Sequence, residues 1–425
     1  MSNQTQQNYS QTLEKRSLPR TLLITSSRPG VGSVGELFLG ALCKLFSPGN
    51  LFCYAAVSGA YEVPILDKEL DWIPITVNNL PKEYSCQYEE NYILKIWRKY
   101  RHLELLENSL APFVAEACKM ALENQIEMLW LVLNSPSMLL IAEKVLEQTK
   151  LPATAIIWDP ISSITEQGKM DSRSRKILEE RSAIVVSRLK SCGVSSPGMA
   201  RMFKEIKSDL PTRVLINAPC SIDSSAFEKD SAKLVIAFSG SLYARQEFLS
   251  FVSALNEMKW TLDGKDIELK IFSSAFDIPL DAQGGKSNVV FKGYLTEREL
   301  LQELSFADVA YLPYWFSKNY AEGVKRCFPA KLATYVAAGC PVLYHGPKVS
   351  SPTEFLTRYQ VGKGLHSNDP SKFKEVLRVL TQDSKFISEY SGQRKLALSE
   401  EIGPDLFKER FLQLVEIARS DSPLT

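Results

Sequence analysis

Short apolar runs separated by helical patterns recur along the whole chain, and this alternation limits the fold more than any other feature. The first series is TLLITSS (21–27), LFCYAAV (51–57), MLWLVLN (128–134), ATAIIWD (153–159), AIVVS (183–187) and RVLIN (213–217). Continuous apolar runs bounded by polar turns fit strands covered on both faces, hence a parallel sheet with helices on each side. A second series follows: KLVIAFSGS (233–241), ELKIFSS (268–274), NVVFKGY (288–294), ADVAYLPY (307–314), CPVLYHG (340–346) and VGKGL (361–365). The small and polar stretch APCSIDSSAFEKDSAK (218–233) divides the two series. A chain of 425 residues also exceeds the roughly 250 to 300 that one core organises. The expected organisation is a flexible lead-in at 1–19, an N-terminal Rossmann-like domain at 20–220, a linker at 221–232 and a C-terminal Rossmann-like domain at 233–402. The remaining helical stretch, 403–425, could cross back to the first domain. The expected fold class is α/β, two tandem doubly wound domains facing across a cleft.

Charge excludes one class of partner. Lys and Arg number 50 against 49 Asp and Glu, so no global basic field points to nucleic acid, and any anionic ligand must be met locally. The eight cysteines are scattered without a C-x-x-C pair, which fits a reducing cytoplasm and argues against a structural zinc site. The polar stretch MSNQTQQNYSQTLEKRSLPR lacks the apolar segment of a secretory signal. No run approaches the roughly 20 apolar residues that span a bilayer, so membrane contact is expected only from the surface.

The stretch LLITSSRPGVGSVGELFLGALCKLF (22–46) carries Gly30, Gly32 and Gly35 as G-x-G-x-x-G where a strand should hand over to a helix. A nicotinamide site also needs an acid at the end of the second strand, and AAVSGAY offers none before Glu62. A P-loop needs Lys and Ser or Thr after Gly35, where Glu36 and Leu37 stand. What survives is a turn whose amides can approach an acceptor or a phosphate at a helix N-terminus, or a tight turn that binds nothing.

The second half is more specific. NVVFKGYLTERELLQELSFADVAYLPY and FPAKLATYVAAGCPVLYHG carry Val290, Phe291, Gly293, Ala307, Asp308, Pro313, Pro329, Lys331, Leu332, Tyr335, Ala338, Gly339, Pro341 and Val342 in order. This pattern resembles the nucleotide-sugar-binding domain of GT-B glycosyltransferases, in particular the large retaining family (glycosyltransferase family 4-like, group 1). The resemblance covers most of residues 233–400 and is weaker over the first 220.

The resemblance implies a nucleotide-diphosphate sugar as co-substrate and no bound cofactor. No visible motif requires a divalent metal. It assigns donor contacts to Gly240, Ser241, Tyr294, Leu295, Lys325, Arg326, Thr334, His345 and Glu354, and charge stabilisation in catalysis to Arg245 and Lys331. A diphosphate leaving group needs such cations and amides around it. Two positions depart from the family. An acid is expected five residues before the glycine of A-A-G, where this chain has Thr334, and its partner acid falls at Arg326. Thr offers one hydroxyl and no charge where a carboxylate accepts two hydroxyls.

In the first half, Asp159 is the remaining candidate carboxylate, as an acceptor base, a hydroxyl-binding group or a helix N-cap. Asn134 and Ser135 follow the MLWLVLN strand in the place where the family often carries a histidine. In 91–108, Tyr92, Ile93, Ile96, Trp97, Tyr100 and Leu103 form a helical stripe, with Lys95, Arg98, Lys99 and His102 off it. Packing of that stripe on the chain's own sheet is favoured over a peripheral rest on the cytoplasmic face of a membrane. The expected function is transfer of a hexosyl group to a saccharide or lipid-linked acceptor in polysaccharide or glycolipid assembly, with retention favoured over inversion. The rivals are a catalytically degenerate partner subunit and a sugar-nucleotide epimerase.

Overall fold

The computed structural model describes residues 18–30, 32–58, 67–80, 92–220, 232–273 and 288–420, with the backbone alone for 92–100. These residues divide into two compact units. One runs to Leu215 and takes the chain back from Lys408, and the other runs from Ile216 to Phe407.

The first unit holds strands β1 (Thr21–Thr25), β2 (Leu51–Ser58), β3 (Ile75–Leu80), β4 (Met128–Val132), β5 (Ala153–Ile157), β6 (Ser191–Val194) and β7 (Thr212–Val214). Every pairing is parallel, in the order β3-β2-β1-β4-β5-β6-β7. Its helices are α1 (Val34–Cys43), α2 (Tyr92–Glu123), α3 (Pro136–Thr149), α4 (Ile161–Gln167), α5 (Ser172–Arg188) and α6 (Pro197–Ile206). Both sheet faces are covered, as the continuous apolar runs require. In β4, Leu129 and Leu131 join the core beneath α2 and α3. Trp130 points the other way, stacks on Phe46 at 6.0 Å and meets Phe411 at 4.6 Å. Phe411 belongs to the last helix, which the Ser191 hydroxyl also engages at the Leu414 carbonyl, 2.8 Å away.

The second unit repeats the scheme with β8 (Lys233–Ser239), β9 (Thr261–Leu262), β10 (Lys265–Phe272), β11 (Val289–Phe291), β12 (Val309–Pro313), β13 (Val342–His345) and β14 (Gly362–Leu365). Its order is β11-β10-β8-β12-β13-β14, with the short β9 antiparallel to β10. The helices are α7 (Arg245–Glu257), α8 (Glu297–Ser305), α9 (Ala321–Arg326), α10 (Ala330–Ala337), α11 (Ser351–Tyr359), α12 (Pro370–Gln382) and α13 (Ser384–Ala397), after which α14 (Pro404–Arg419) leads back to the first unit.

One expected strand is absent. AIVVS forms the end of α5, and the sixth strand is Ser191–Val194. Three β-favouring residues do not outweigh a helix already propagating from the Asp171 cap, which accepts from the Arg173 and Ser174 amides. From Leu103 onward α2 buries its apolar stripe on the sheet, through Leu106, Leu110 and Val114, and His102 is buried as well. The side chains of Tyr92, Ile93, Lys95, Ile96, Trp97, Arg98, Lys99 and Tyr100, and the whole of Glu62, lie outside the described residues. Among the described residues no helix is long and apolar enough to cross a membrane.

Candidate functional site

A doubly wound sheet opens a crevice at the carboxyl ends of the strands where its winding reverses, and ligands of such sheets lie there. In the second unit the reversal falls between β8 and β12. The chain leaves β8 through Gly240, at φ +73, and the exposed Ser241. Positive φ is accessible to glycine without steric cost. Lys331, in the first turn of α10, donates from its ammonium to the Ser241 carbonyl. The same ammonium lies 4.5 Å from the ring centres of Phe238 and of Tyr243. Desolvation between these rings draws its pKa down to about 7. An anion brought to the ammonium would favour the charged form again.

The two ends of α10 differ. At its C-terminus the Arg394 guanidinium donates to the Val336 and Ala337 carbonyls at 2.8 and 2.6 Å. At its N-terminus the cap is Pro329, which makes no side-chain cap hydrogen bond. The amide end of the dipole therefore faces the Lys331 side of the crevice. Arg245 is exposed as the first residue of α7. A cation there opposes the helix dipole, and an anion shared by the two would relieve the conflict. An aromatic wall stands beside this group. The Trp315 indole donates to the Tyr243 carbonyl at 2.8 Å and stacks on Tyr320 at 4.5 Å. The buried Glu247 carboxylate accepts from the Phe316 amide at 2.7 Å, which fixes the loop after β12.

The other expected donor residues are spread around this centre. Tyr294 is 66% exposed after Gly293, whose φ is +71, and Leu295 is half-buried. Thr334 spends its proton on the Ala330 carbonyl at 3.3 Å, so its oxygen can only accept from a ligand. Arg326 pairs with Glu322 at 2.7 Å along α9, and Lys325 is exposed. Glu354 is exposed in the first turn of α11.

His345 differs from its expected role as a donor contact. It is fully buried, with Phe373 and Phe316 against its ring, and desolvation lowers its pKa to about 4. Its Nδ1 lies 2.8 Å from the Tyr311 hydroxyl, whose proton goes to the Glu247 carbonyl at 3.0 Å. A carbonyl only accepts, so His345 Nδ1–H donates to Tyr311. His345 is a core histidine. The exposed histidine at this sheet edge is His366, held by the Gly346 carbonyl at 2.8 Å, and no sequence motif marked it.

In the first unit the reversal falls between β1 and β4. The Ser26 hydroxyl donates to Asn134 Oδ1 at 2.7 Å across that point. Ser135 caps α3 by accepting from the Met138 amide. The glycine-rich turn folds back on α1, where Gly30 N donates to the Glu36 carbonyl at 3.1 Å. Ser33 and Glu36 form a capping box, with the Glu36 carboxylate accepting from the Ser33 amide at 2.6 Å. A Cβ on Gly32 would meet that carboxylate at 2.3 Å, and one on Gly35 would meet Trp158 at 3.2 Å. Asp159 is half-buried after β5, but Pro160 rather than Asp159 occupies the N-cap of α4.

No family model matches the sequence, and no curated protein matches it. The backbone, however, is shared with solved structures. Sucrose-phosphate synthase from Thermosynechococcus elongatus superposes with a TM-score of 0.65 at 11% identity, over 94% of this chain and 98% of that one. HepE from Anabaena, in complex with UDP, gives 0.63 at 13% identity, over 93% and 99%. The UDP-forming α,α-trehalose-phosphate synthase from Burkholderia xenovorans, in complex with glucose-6-phosphate, gives 0.61 at 10% identity, over 93% and 100%. The chain has the GT-B fold. In this GT-B chain Gly240, Ser241 and Lys331 are in direct contact, and Arg245 opens the helix that follows their turn. Asn134 is tied to the start of the glycine-rich stretch through Ser26. Two carboxylates that the motifs did not single out, Glu36 and Glu247, are buried at the two reversal points. Among the described residues no three His, Cys, Asp or Glu side chains form a group able to hold a metal ion.

Proposed function

We infer that this chain is a hexosyltransferase that binds a nucleoside diphosphate sugar on its second unit and transfers the sugar, with retention, to a saccharide or lipid-linked acceptor. The observation that carries this reading is Lys331, seated between Phe238 and Tyr243 on the Gly240–Ser241 turn at the uncapped end of α10. In the reaction the bond from the anomeric carbon to the diphosphate oxygen breaks. Charge develops on the leaving diphosphate, where the ammonium and the α10 amides stabilise it most strongly because they are already in place. Arg245 adds a second cation. A departing diphosphate oxygen takes the proton of the acceptor hydroxyl as that hydroxyl bonds to the anomeric carbon, so no protein base is needed. Tyr294 offers an exposed ring for the base. Thr334 accepts one ribose hydroxyl in place of the two that an acid would take. We place the protein in the cytoplasm, with contact to a membrane limited to its surface.

Uridine nucleotides are the first probes, because the HepE neighbour holds UDP. Calorimetric titration with UDP, GDP and their glucose esters should show one saturable nucleotide site, weakened more than about tenfold in both Lys331→Ala and Arg245→Ala, since charge-assisted phosphate contacts are the strong ones. Folded protein that binds no nucleotide would refute the reading and leave a degenerate partner subunit, with Thr334 and Arg326 as its marks.

A further inference from the structure

The second unit carries a cavity of about 290 Å³ at the end of its sheet opposite the crevice. Leu234, Lys265, Asp308 and Pro341 line it and stand at the amino ends of β8, β10, β12 and β13. The five residues of β12 separate it from the crevice by about 16 Å. Its other wall is the corner between α12 and α13, made by Leu380, Thr381 and Gln382 on one side and Phe386, Ile387 and Tyr390 on the other. Asp383 serves both helices, closing α12 and capping α13, where its carboxylate accepts from the Phe386 amide at 2.9 Å. The corner is held by its own hydrogen bonds, so the space against the sheet is formed before any ligand arrives.

The polar groups of this one cavity are mainly acceptors. Asp308 is half-buried, and its carboxylate is fixed by accepting from the Val235 amide at 2.8 Å, while a carboxylate can accept several donors at once. Thr381 gives its proton to the Leu377 carbonyl at 2.8 Å, so its oxygen only accepts. The last turn of α12 holds no basic residue, and Arg378, one turn back, is paired with Asp263 at 2.8 Å. The negative end of that helix dipole therefore adds to the charge of Asp308. Lys265 is the one cation among the lining residues, and it is exposed, where solvent screens it. The rest of the wall is apolar, from Leu234, Leu262, Pro341 and the Phe386 and Tyr390 rings. A sugar nucleotide is larger than this space and carries the wrong sign of charge. An ammonium only donates, is opposite in sign to Asp308 and the helix end, and can bring an apolar body to cover the wall. We propose that this cavity is a second ligand site, which takes a small organic ammonium compound with an apolar body through Asp308, Thr381 and the end of α12. The site stands independently of the transferase reading.

The probes are phenethylamine, 2-phenylethanol and 3-phenylpropanoate, which share one ring and differ in the polar group. Calorimetric titration of the full chain should show saturable binding of phenethylamine, about tenfold or more tighter than 3-phenylpropanoate, with 2-phenylethanol between them. Bound amine should also raise the melting temperature. Asp308→Asn keeps an oxygen for the Val235 amide and removes the charge. It should weaken the amine about tenfold and leave 2-phenylethanol within about threefold of wild type. Ile387→Trp, at a position 52% exposed, fills the edge of the cavity without entering the core, and should weaken every probe that wild type binds. Equal or tighter binding of 3-phenylpropanoate, no saturable binding of any probe by folded wild type, or an unchanged amine affinity in either folded variant would each overturn the proposal. Should Asp308→Asn not fold, the ranking of the probes and Ile387→Trp decide.

Discussion

The Lys331 ammonium sits 4.5 Å from the centre of the Tyr243 ring, close enough for cation–π attraction and dry enough that its pKa falls to about 7. A diphosphate beside it would raise that pKa again, so donor binding takes up a proton wherever free Lys331 is neutral. The sign follows: affinity is flat below about pH 7 and declines above it, by at most tenfold per unit, until the pKa of the bound state is passed. UDP-glucose is the suitable probe, since its diphosphate ester does not itself titrate in this range. Titrations from pH 6 to 9 should show the decline in wild type, and Lys331→Met should bind weakly at every pH with no slope.

Gly240 is the position where backbone and site constrain each other. Alanine there must adopt φ +73 and bring its Cβ to 3.2 Å from Lys331 Cε. The left-handed conformation costs about 1 kcal/mol, and displacement of the lysine should weaken UDP binding about tenfold. Gly264, between β9 and β10, has φ +86, and an alanine methyl there would meet no atom within 4 Å, so that substitution carries only the backbone cost. Chemical denaturation and UDP titration of the two variants should give similar losses of stability and unequal losses of affinity.

Arg394 supports the site from the opposite end of α10. Its two bonds to the Val336 and Ala337 carbonyls engage acceptors of the last turn and place positive charge at the negative end of the dipole. Arg394→Met should lower stability by about 2 kcal/mol, the scale of charged hydrogen bonds to buried carbonyls. UDP affinity should stay within about threefold of wild type, because the diphosphate end of the helix is untouched.

Much of the fold was legible because strands buried on both faces leave continuous apolar runs, and the paired runs of both sheets show it. The edge strand ITVNNL was not, since half-exposed edge positions admit asparagine and blur the apolar run. AIVVS misled for the converse reason, as β-branched residues also fill the buried face of a helix. At the glycine-rich turn the glycines drew attention, whereas the Ser33-x-x-Glu36 signature carried the information that the helix end is occupied. The contact of Lys331 with Ser241 joins positions 90 residues apart, and that of Arg394 with Val336 joins positions 58 apart, so no local spacing could reveal either.

His345 couples the core of the second unit to pH. Its pKa falls from 6.5 to about 4, so between these values the folded chain binds fewer protons than the unfolded chain, and stability declines as pH falls through that window. The contribution by pH 4.5 is about 2 kcal/mol for a fully buried ring. Carboxylates also titrate on the way down, so the informative quantity is a difference between variants. His345→Gln keeps a donor for the Tyr311 oxygen and has no charge to acquire. Denaturation midpoints at pH 7 and 4.5 should therefore show wild type losing about 2 kcal/mol more than His345→Gln over that interval. Equal losses in the two proteins would mean that the ring takes up its proton without leaving the core.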